Sequence, residues 1–260
     1  MQKVVGLGIG LAVAVVLATG FATPVMSGEK LVRIATLDWP PYTGKDLPKG
    51  GATTDVVRAA FEKVGYQVEV EYRPWKRAID MAAKGTDDVI AYFPGYHCNH
   101  RDGFLGSEPL GNGPLGFAEH VDAPITWATL DDIADQQLKI GTVLGYANTD
   151  NFDAKVGTGY ILAVPSNDDL TNLKKLVRRR IDAVVIDKLV LKYMKATDAS
   201  LKDGGDKLQF DETPLENKTL YLCFRDSEAG RPLKHIFNAG LEQIDSEAIV
   251  DNYFATAFSQ

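Results

Sequence analysis

The sequence has few of the residues that build metal centres and disulfide scaffolds. It contains two cysteines, four histidines and four methionines among 260 residues. Two cysteines can form only one disulfide, which is too few to define a disulfide-based fold. They are Cys98 and Cys223, which lie far apart along the chain, so only the fold could bring them together.

Positive charge is also in short supply. The chain has 28 Lys and Arg residues against 35 Asp and Glu residues, which gives a formal net charge of -7. Nucleic-acid phosphates and anionic membrane surfaces attract basic proteins and repel acidic ones. We therefore expect neither a nucleic acid nor an anionic membrane surface as the partner.

Long hydrophobic runs are absent except at the start of the chain. There, a lone Lys3 precedes an uncharged apolar stretch, and the small residues Gly20 and Ala22 fit a signal-peptidase site. We predict that residues 1–27 are a cleaved signal peptide and that the mature protein is exported. The alternative is an uncleaved membrane anchor, because the run approaches the roughly 20 residues of a spanning helix.

The first part of the mature chain alternates between strand and helix patterns. Thr53 or Thr54 is the predicted cap of its first helix, and Gly65 the predicted stop. This order implies parallel strands joined by right-handed crossovers. The predicted strands are 31–38, 67–73 and 87–93, and the predicted helices are 53–66 and 75–85.

A second α/β unit follows a predicted strand at 113–120. After this unit, a strand at 218–225 and two amphipathic helices at 230–244 and 247–258 complete the chain, and we expect these helices to cover the first unit. Within the second unit the predicted helices are 130–137, 149–156, 168–180 and 188–197, and the predicted strands are 138–145, 160–166 and 181–187.

Two such units form a cleft, and ligands bind beyond the carboxyl ends of the strands. Trp39 and Tyr42 follow the first strand, and the loop 93–101 follows the third. The segment 145–150 opens a helix, and Asp187 ends a strand of the second unit. These segments supply a cation, a helix start, aromatic rings and a carboxylate. Such a combination suits a small zwitterionic ligand.

Several motifs in fixed order carry a resemblance to a known family. They are "WPPYT" at 39–43, "PWKRAIDMAAKGTDDVIA" at 74–91, the arginine loop followed by "SEPL" at 107–110, "LKIGTVLGY" at 138–146 and "RRRIDAVVID" at 178–187. Because these motifs occur in this order and spacing, the chain resembles the periplasmic solute-binding proteins of polar amino-acid ABC transporters, known as bacterial extracellular solute-binding protein family 3. The likeness covers nearly the whole mature length.

The resemblance implies a two-lobe α/β fold of the periplasmic-binding-protein type II. Each lobe would be a mostly parallel sheet flanked by helices, with the ligand cleft between the lobes. Lobe one would comprise residues 28–115 and 216–260, and lobe two residues 116–215.

The resemblance also implies roles for individual residues. Arg101 matches the arginine that clamps the ligand carboxylate with both guanidinium nitrogens, and Asp187 matches the aspartate that holds the ligand ammonium. Tyr42 would flank the ligand side chain, and backbone N–H groups of residues 145–148 would meet the carboxylate. The full candidate set is Trp39, Tyr42, Trp75, Gly95, Arg101, Gly145, Tyr146, Asn148 and Asp187.

Other interpretations stay open for several of these residues. Arg101 could be a surface arginine, Trp39 and Trp75 could be core aromatics, and Asp187 could simply cap the helix that follows it. Cys98 stands where the family has threonine, and Tyr146 and Ala147 replace small hydroxyl residues. These departures favour a carboxylate-bearing or related small polar ligand over a standard amino-acid clamp.

The segment "HCNH" at 97–100 raises the question of a metal site. Zinc takes about four ligands, and the adjacent His97 and Cys98 cannot easily both face one ion. We therefore expect no metal and no cofactor. Because the strand containing Cys223 should return to lobe one, where Cys98 lies, we predict a disulfide between them instead.

These inferences predict a binding protein and not an enzyme. It would capture a small polar ligand, such as an amino acid, by hinge closure and deliver it to an ABC permease in the inner membrane, and we expect it to be a monomer. One alternative is a lyase on the same fold, with His97, His100 or Glu108 as acid–base groups. Another is a sensing module that reports to a membrane receptor.

Overall fold

The computed structural model describes residues 1–3, 30–98 and 103–257. In these ranges the strands are β1 (Lys30–Thr36), β2 (Tyr66–Tyr72), β3 (Val89–Gly95), β4 (Phe104–Gly106), β5 (Gly111–His120), β6 (Lys139–Val143), β7 (Leu162–Ser166), β8 (Ala183–Asp187), β9 (Leu208–Phe210) and β10 (Glu216–Arg225). The helices are α1 (Ala52–Lys63), α2 (Trp75–Lys84), α3 (Leu130–Asp135), α4 (Asp150–Gly157), α5 (Asp169–Val177), α6 (Lys188–Thr197), α7 (Gly230–Leu241) and α8 (Ser246–Ala257).

The first half of the sheet is formed by β1 to β4 and the carboxyl-terminal part of β10. Strands β2, β1 and β3 are parallel neighbours, and β10 runs antiparallel to β3 and β4. The alternation predicted from the sequence is visible in β2, whereas every residue of β3 is buried because helices and β10 surround it. The predicted parallel β-α-β-α-β arrangement is confirmed.

The second half of the sheet is formed by β5 to β9. Strands β8, β6 and β7 are parallel neighbours, and β5 runs antiparallel to β8 and β9. The long strands β5 and β10 pair with each other and so connect the two halves. The predicted residue limits of the two lobes stay a prediction.

The start of α1 differs from the sequence prediction. Helix α1 begins at Ala52, and Gly51 is its N-cap, so the predicted cap at Thr53 or Thr54 is wrong. Backbone carbonyls of Pro41 and Tyr42 accept the N–H groups of Ala52 and Thr53, which a side-chain cap would otherwise satisfy. Gly51 has φ +103°, and a Cβ there would lie 2.5 Å from the Tyr42 carbonyl oxygen, so glycine is required.

The last two helices cover the first half of the sheet, as expected from the sequence. Helix α7 packs on α1, where the rings of Phe61 and Phe237 lie 4.8 Å apart between centroids. Helix α8 contacts α1 and also β5, and Phe254 of α8 meets the ring of Tyr42 edge-on at 5.6 Å. None of the helices in the described ranges is long and apolar enough to span a membrane.

Most of the predicted signal peptide falls outside the described residues, which omit positions 4–29.

Candidate functional site

A cavity lies where the carboxyl ends of β1 and β3 face the loop between β6 and α4. It encloses about 440 Å³ of space, a volume that includes the part open to solvent. Five of its ten lining residues are Trp or Tyr. The lining consists of Leu37, Trp39, Trp75, Tyr92, Pro94, Gly95, Tyr96, His97, Tyr146 and Ala147.

The aromatic rings of the cavity contact one another mostly edge to face. Trp39 meets Tyr96 at 6.0 Å and 76°, and Trp75 meets Tyr92 at 5.4 Å and 79°. Trp75 also meets Tyr146 at 6.4 Å and 87°, which joins the first half of the structure to the second. Such geometry places ring edges against ring faces and is favourable for aromatic pairs.

Asp187 lies behind this aromatic lining, at the end of β8. Its carboxylate caps α6 by accepting the N–H groups of Leu189 at 2.7 Å and Val190 at 3.2 Å. The hydroxyl of Tyr42 lies 3.2 and 3.1 Å from its two oxygens. Burial raises the pKa of Asp187 to about 7, although these hydrogen bonds oppose the rise. The capping interpretation of Asp187 is therefore observed, and its ammonium-binding role stays a prediction.

A second buried carboxylate, Asp169, was not predicted as a site residue. Asp168 caps α5 by accepting the N–H of Thr171, so the side chain of Asp169, the next residue, is not used as the cap. It accepts a hydrogen bond from the hydroxyl of Tyr146 at 3.3 Å, and the side chain of Trp39 also acts to lower its pKa. Burial raises the pKa of Asp169 to about 7, the Tyr146 hydrogen bond opposes the rise, and the charge of Asp168 adds to it.

The tyrosines of the site keep their hydroxyl protons. Burial raises the pKa of Tyr42, Tyr96 and Tyr146 well above 10, and nearby carboxylates raise it further. The neighbouring charge is Asp187 for Tyr42 and Asp169 for Tyr146, while both act on Tyr96. The hydroxyl groups of Tyr42 and Tyr146 therefore donate hydrogen bonds to Asp187 and Asp169, respectively.

A buried lysine lies beside Tyr96 and His97 of the cavity lining. Lys218 of β10 is 1% exposed, and its Nζ lies 2.5 Å from Nε2 of His97 and 3.2 Å from both carboxylate oxygens of Glu216. It also lies 5.4 Å from the ring centroid of Tyr96.

The segment 145–148 lies directly before α4, whose start agrees with the predicted helix 149–156 to within one residue. Helix α4 begins at Asp150, after the N-cap Thr149. The backbone N–H of Asn148 donates to Asp153 at 2.8 Å, and its side-chain amide donates to the same carboxylate at 2.7 Å. This N–H group therefore already has an anionic acceptor within the chain. A Cβ on Gly145 would lie 3.8 Å from Trp75 and from Lys76, so this glycine abuts α2 across the cleft.

Cys98 and Cys223 form a disulfide, with their Cα atoms 5.2 Å apart. The bond links Cys98, the residue after His97, to Cys223 in β10, and both cysteines are buried. A Cβ on Gly95 would lie 2.6 Å from Sγ of Cys223, which explains a glycine there. Arg101 and His100 lie in the segment 99–102, outside the described residues, so their roles stay predictions.

The structure thus brings some predicted residues together and places others behind them. Trp39, Trp75, Gly95 and Tyr146 line the cavity, while Tyr42 and Asp187 lie behind it. Of the acid–base candidates, His97 lines the cavity and Glu108 does not. Within the described ranges no three Cys, His, Asp or Glu residues are grouped so as to hold a metal ion. The sequence prediction omitted Tyr92, Tyr96, Asp169 and Lys218.

Comparison with solved structures identifies the fold. The ligand-binding core of GluR0 from Nostoc punctiforme in complex with L-glutamate superimposes with a TM-score of 0.68 at 17% identity, over 88% of this chain and 100% of that one. The chain has the two-lobe, type II fold of periplasmic binding proteins. The fold expected from the sequence resemblance is confirmed.

Two further structures show how varied the proteins with this fold are. An amino acid ABC transporter substrate-binding protein from Streptococcus pneumoniae, bound to L-arginine, has a TM-score of 0.68 at 16% identity, over 87% of this chain and 93% of that one. The ancestral amino acid-binding protein AncCDT-1, a precursor of cyclohexadienyl dehydratase, has a TM-score of 0.66 at 18% identity, over 88% and 94%. No protein-family model and no curated protein matches the sequence.

Proposed function

We propose that this protein is a periplasmic solute-binding protein that captures an amino acid or a related small polar carboxylate and delivers it to an ABC permease. The observation that carries the proposal is the aromatic cavity between the two halves of the sheet, at the carboxyl ends of β1 and β3. Ligands of α/β folds bind at this edge. The arginine- and glutamate-bound structures of the same fold support an amino acid as the ligand.

The mechanism is closure of the two halves around the ligand. Among the described residues, the hydroxyl of Tyr42 contacts Asp187 across the cleft, and the ring of Trp75 contacts that of Tyr146. A ligand that contacts both sides shifts the population toward the closed form, which the permease recognises. Strands β5 and β10, which connect the halves, are the hinge in this proposal.

The binding groups divide by charge. Arg101 is proposed to hold the ligand carboxylate, with His97 and Lys218 at the same end of the cavity. Asp187 is proposed to hold the ligand ammonium once the ligand displaces the hydroxyl of Tyr42. Binding rather than catalysis is proposed because the glutamate- and arginine-bound structures of the same fold are those of ligand-binding proteins.

A ligand screen followed by calorimetry tests this function. The protein should be stabilised against heat by at least one of the twenty amino acids or a small carboxylate. Arg101→Ala should then lower the affinity at least about tenfold, because a hydrogen bond to a charged group contributes about 1.5–3 kcal/mol. Arg77→Ala, at an exposed position of α2, is the matched control and should leave the affinity unchanged. If none of these compounds binds, the proposal is wrong.

A further inference from the structure

The carboxylate of Asp187 already has hydrogen-bond donors within the chain on both of its oxygens. Oδ1 accepts the N–H groups of Leu189 and Val190, which belong to the same half of the structure as Asp187. The hydroxyl of Tyr42, from the loop after β1 in the other half, lies 3.2 Å from Oδ1 and 3.1 Å from Oδ2. Among the residues that the structure describes, this hydroxyl is the one donor to Oδ2.

The ring of Tyr42 is held in a position from which its hydroxyl reaches Asp187. Tyr42 is 1% exposed, and its ring stacks on Trp39 at 4.6 Å and 22° and meets Phe254 edge-on at 5.6 Å. Gly113 of β5 lies beside the contact, where a Cβ would overlap both the hydroxyl oxygen and the carboxylate. The packing of three elements therefore supports this hydrogen bond between the two halves.

A ligand ammonium that pairs with Asp187 must displace the hydroxyl of Tyr42. Asp187 is 2% exposed and lies behind the cavity lining, so the two groups compete for the same buried oxygens. Burial and the charge of Asp187 raise the pKa of Tyr42 well above 10, so the hydroxyl keeps its proton and stays a donor. Once displaced, it would be a buried donor without an acceptor, which is unfavourable. A ligand without an ammonium group leaves the Tyr42–Asp187 contact intact.

We infer that Tyr42 is a specificity-determining residue, whose hydroxyl competes with the α-ammonium group of a ligand for Asp187. The site thereby favours small carboxylates that lack an α-ammonium group over the amino acids with the same skeleton. The inference rests on the proposed function and deepens it, because it names the preferred class among the amino acids and related carboxylates.

Matched pairs of compounds test this preference in the wild-type protein. The pairs are L-arginine with 5-guanidinopentanoate, L-glutamate with glutarate, and L-phenylalanine with 3-phenylpropanoate. The members of a pair share the carbon skeleton and the carboxylate and differ in the α-ammonium group. Calorimetry should show that the member without the ammonium binds at least as tightly as the amino acid. If the ligand screen finds a different compound, that compound and its partner with or without the α-ammonium replace these pairs.

Tyr42→Phe removes the competing hydroxyl and keeps the ring. It should raise the affinity for the amino acid at least about fivefold, because no buried donor is then left without an acceptor. The affinity for the partner without the ammonium should stay within about twofold, because that ligand does not disturb the hydroxyl. A merely structural role of Tyr42 would change both affinities equally.

Tyr160→Phe is the matched control. Its hydroxyl also contacts an aspartate, Asp135, at 3.4 Å, but Tyr160 is 48% exposed and lies outside the cavity lining. The variant should leave both affinities unchanged.

The outcomes separate the inference from the proposed function. Preference for the member without the ammonium, together with a gain for the amino acid alone in Tyr42→Phe, supports both. Amino acids that bind the wild type more tightly than their partners overturn the inference and leave the solute-binding function standing. An equal change of both affinities in Tyr42→Phe, or no change, also overturns the inference alone. If no amino acid and no carboxylate binds, the proposed function fails and the inference fails with it.

Discussion

The two walls of the cleft are built from different chemistry. The wall from the first half consists mainly of rings, with Trp39, Trp75 and Tyr96 at its surface. The wall from the second half places two buried carboxylates, Asp169 and Asp187, at the starts of α5 and α6. The hydroxyl of Tyr42 and the ring of Trp75 in the first wall contact Asp187 and the ring of Tyr146 in the second. The first wall therefore supplies most of the rings, and the second supplies the two buried carboxylates.

The walls also differ in how they are held in place. The aromatic wall continues into the loop that the disulfide ties to β10. The carboxylate of Asp187 is held by the N–H groups at the start of α6, where the helix dipole favours an anion. The loop of the first wall is thus held by a covalent bond, whereas the helix start in the second wall is held by capping hydrogen bonds.

The largest expected effect comes from removing the disulfide. Cys98→Ser together with Cys223→Ser should lower the free energy of unfolding by about 2–5 kcal/mol, because the bond closes a long loop of the chain. Thermal or urea unfolding of the variant and the wild type measures this loss. Mass spectrometry of protein from the oxidising compartment provides the check on the bond itself, and two free thiols there would contradict the account.

Gly113 offers a way to push the two walls apart. A Cβ at this position of β5 would lie 2.1 Å from Oδ2 of Asp187 and 2.2 Å from the hydroxyl oxygen of Tyr42. Gly113→Ala should therefore cost about 1–3 kcal/mol of stability and weaken ligand binding. Gly157→Ala is the control, because a Cβ there has no heavy atom within 4 Å. If Gly113→Ala and Gly157→Ala were equally stable, Gly113 would not lie as close to Tyr42 and Asp187 as described here.

The charge of the second wall can be tested through pH. Asp169 keeps its proton up to about pH 7 in the folded protein, whereas an unfolded aspartate loses it near pH 4. Its contribution to stability is thus fully present below pH 4 and lost as the pH rises through 7. An asparagine at position 169 has no proton to lose and stays neutral over this whole pH range.

Asp169→Asn should therefore gain stability relative to the wild type between pH 5 and pH 8, by at least about 1 kcal/mol. Urea unfolding at the two pH values measures the difference, with Asp168→Asn as the control. A constant difference between Asp169→Asn and the wild type would mean that Asp169 is already charged at pH 5.

The smallest effect is expected from the histidines. His97→Ala combined with His100→Ala should change ligand affinity only modestly at neutral pH, because Lys218 and the predicted Arg101 clamp remain. Some change in mildly acidic buffer is consistent with the account, since histidine titrates near pH 6.5. Elemental analysis of the purified protein should find no stoichiometric metal. One equivalent of zinc, copper or nickel that disappears in the double variant would favour a metal site.

Much of the fold was predictable because long strands and helices carry visible periodicity. The apolar residues of α1 repeat with the helical period, and the structure buries Val56, Val57, Ala60 and Phe61 on one face, whereas burial in β2 alternates only over its first five residues. The strands β4 and β9 were missed because three residues are too few to show a period. The α1 cap was missed because its acceptors are backbone carbonyls of another loop, which leave no side-chain signal.

The site was less predictable because its partners come from distant parts of the chain. The run "NDDL" around Asp169 reads as an ordinary helix start, since either aspartate could be the cap. Only folding shows that Asp168 is the cap and that Tyr146 reaches Asp169. Lys218 likewise lies in an alternating strand, and its burial against His97 follows from packing alone.

The central claim, that the ligand binds between the two walls, is tested most directly by tryptophan fluorescence. Trp39 and Trp75 line the cavity, whereas Trp127 packs on Phe117 at 5.2 Å and donates to Asp211. Titration of Trp127→Phe with the tightest-binding compound of the ligand screen should give a saturable change in emission, with the same dissociation constant as calorimetry. Calorimetric binding with no emission change in Trp127→Phe, or a change carried by Trp127 alone, would contradict the account.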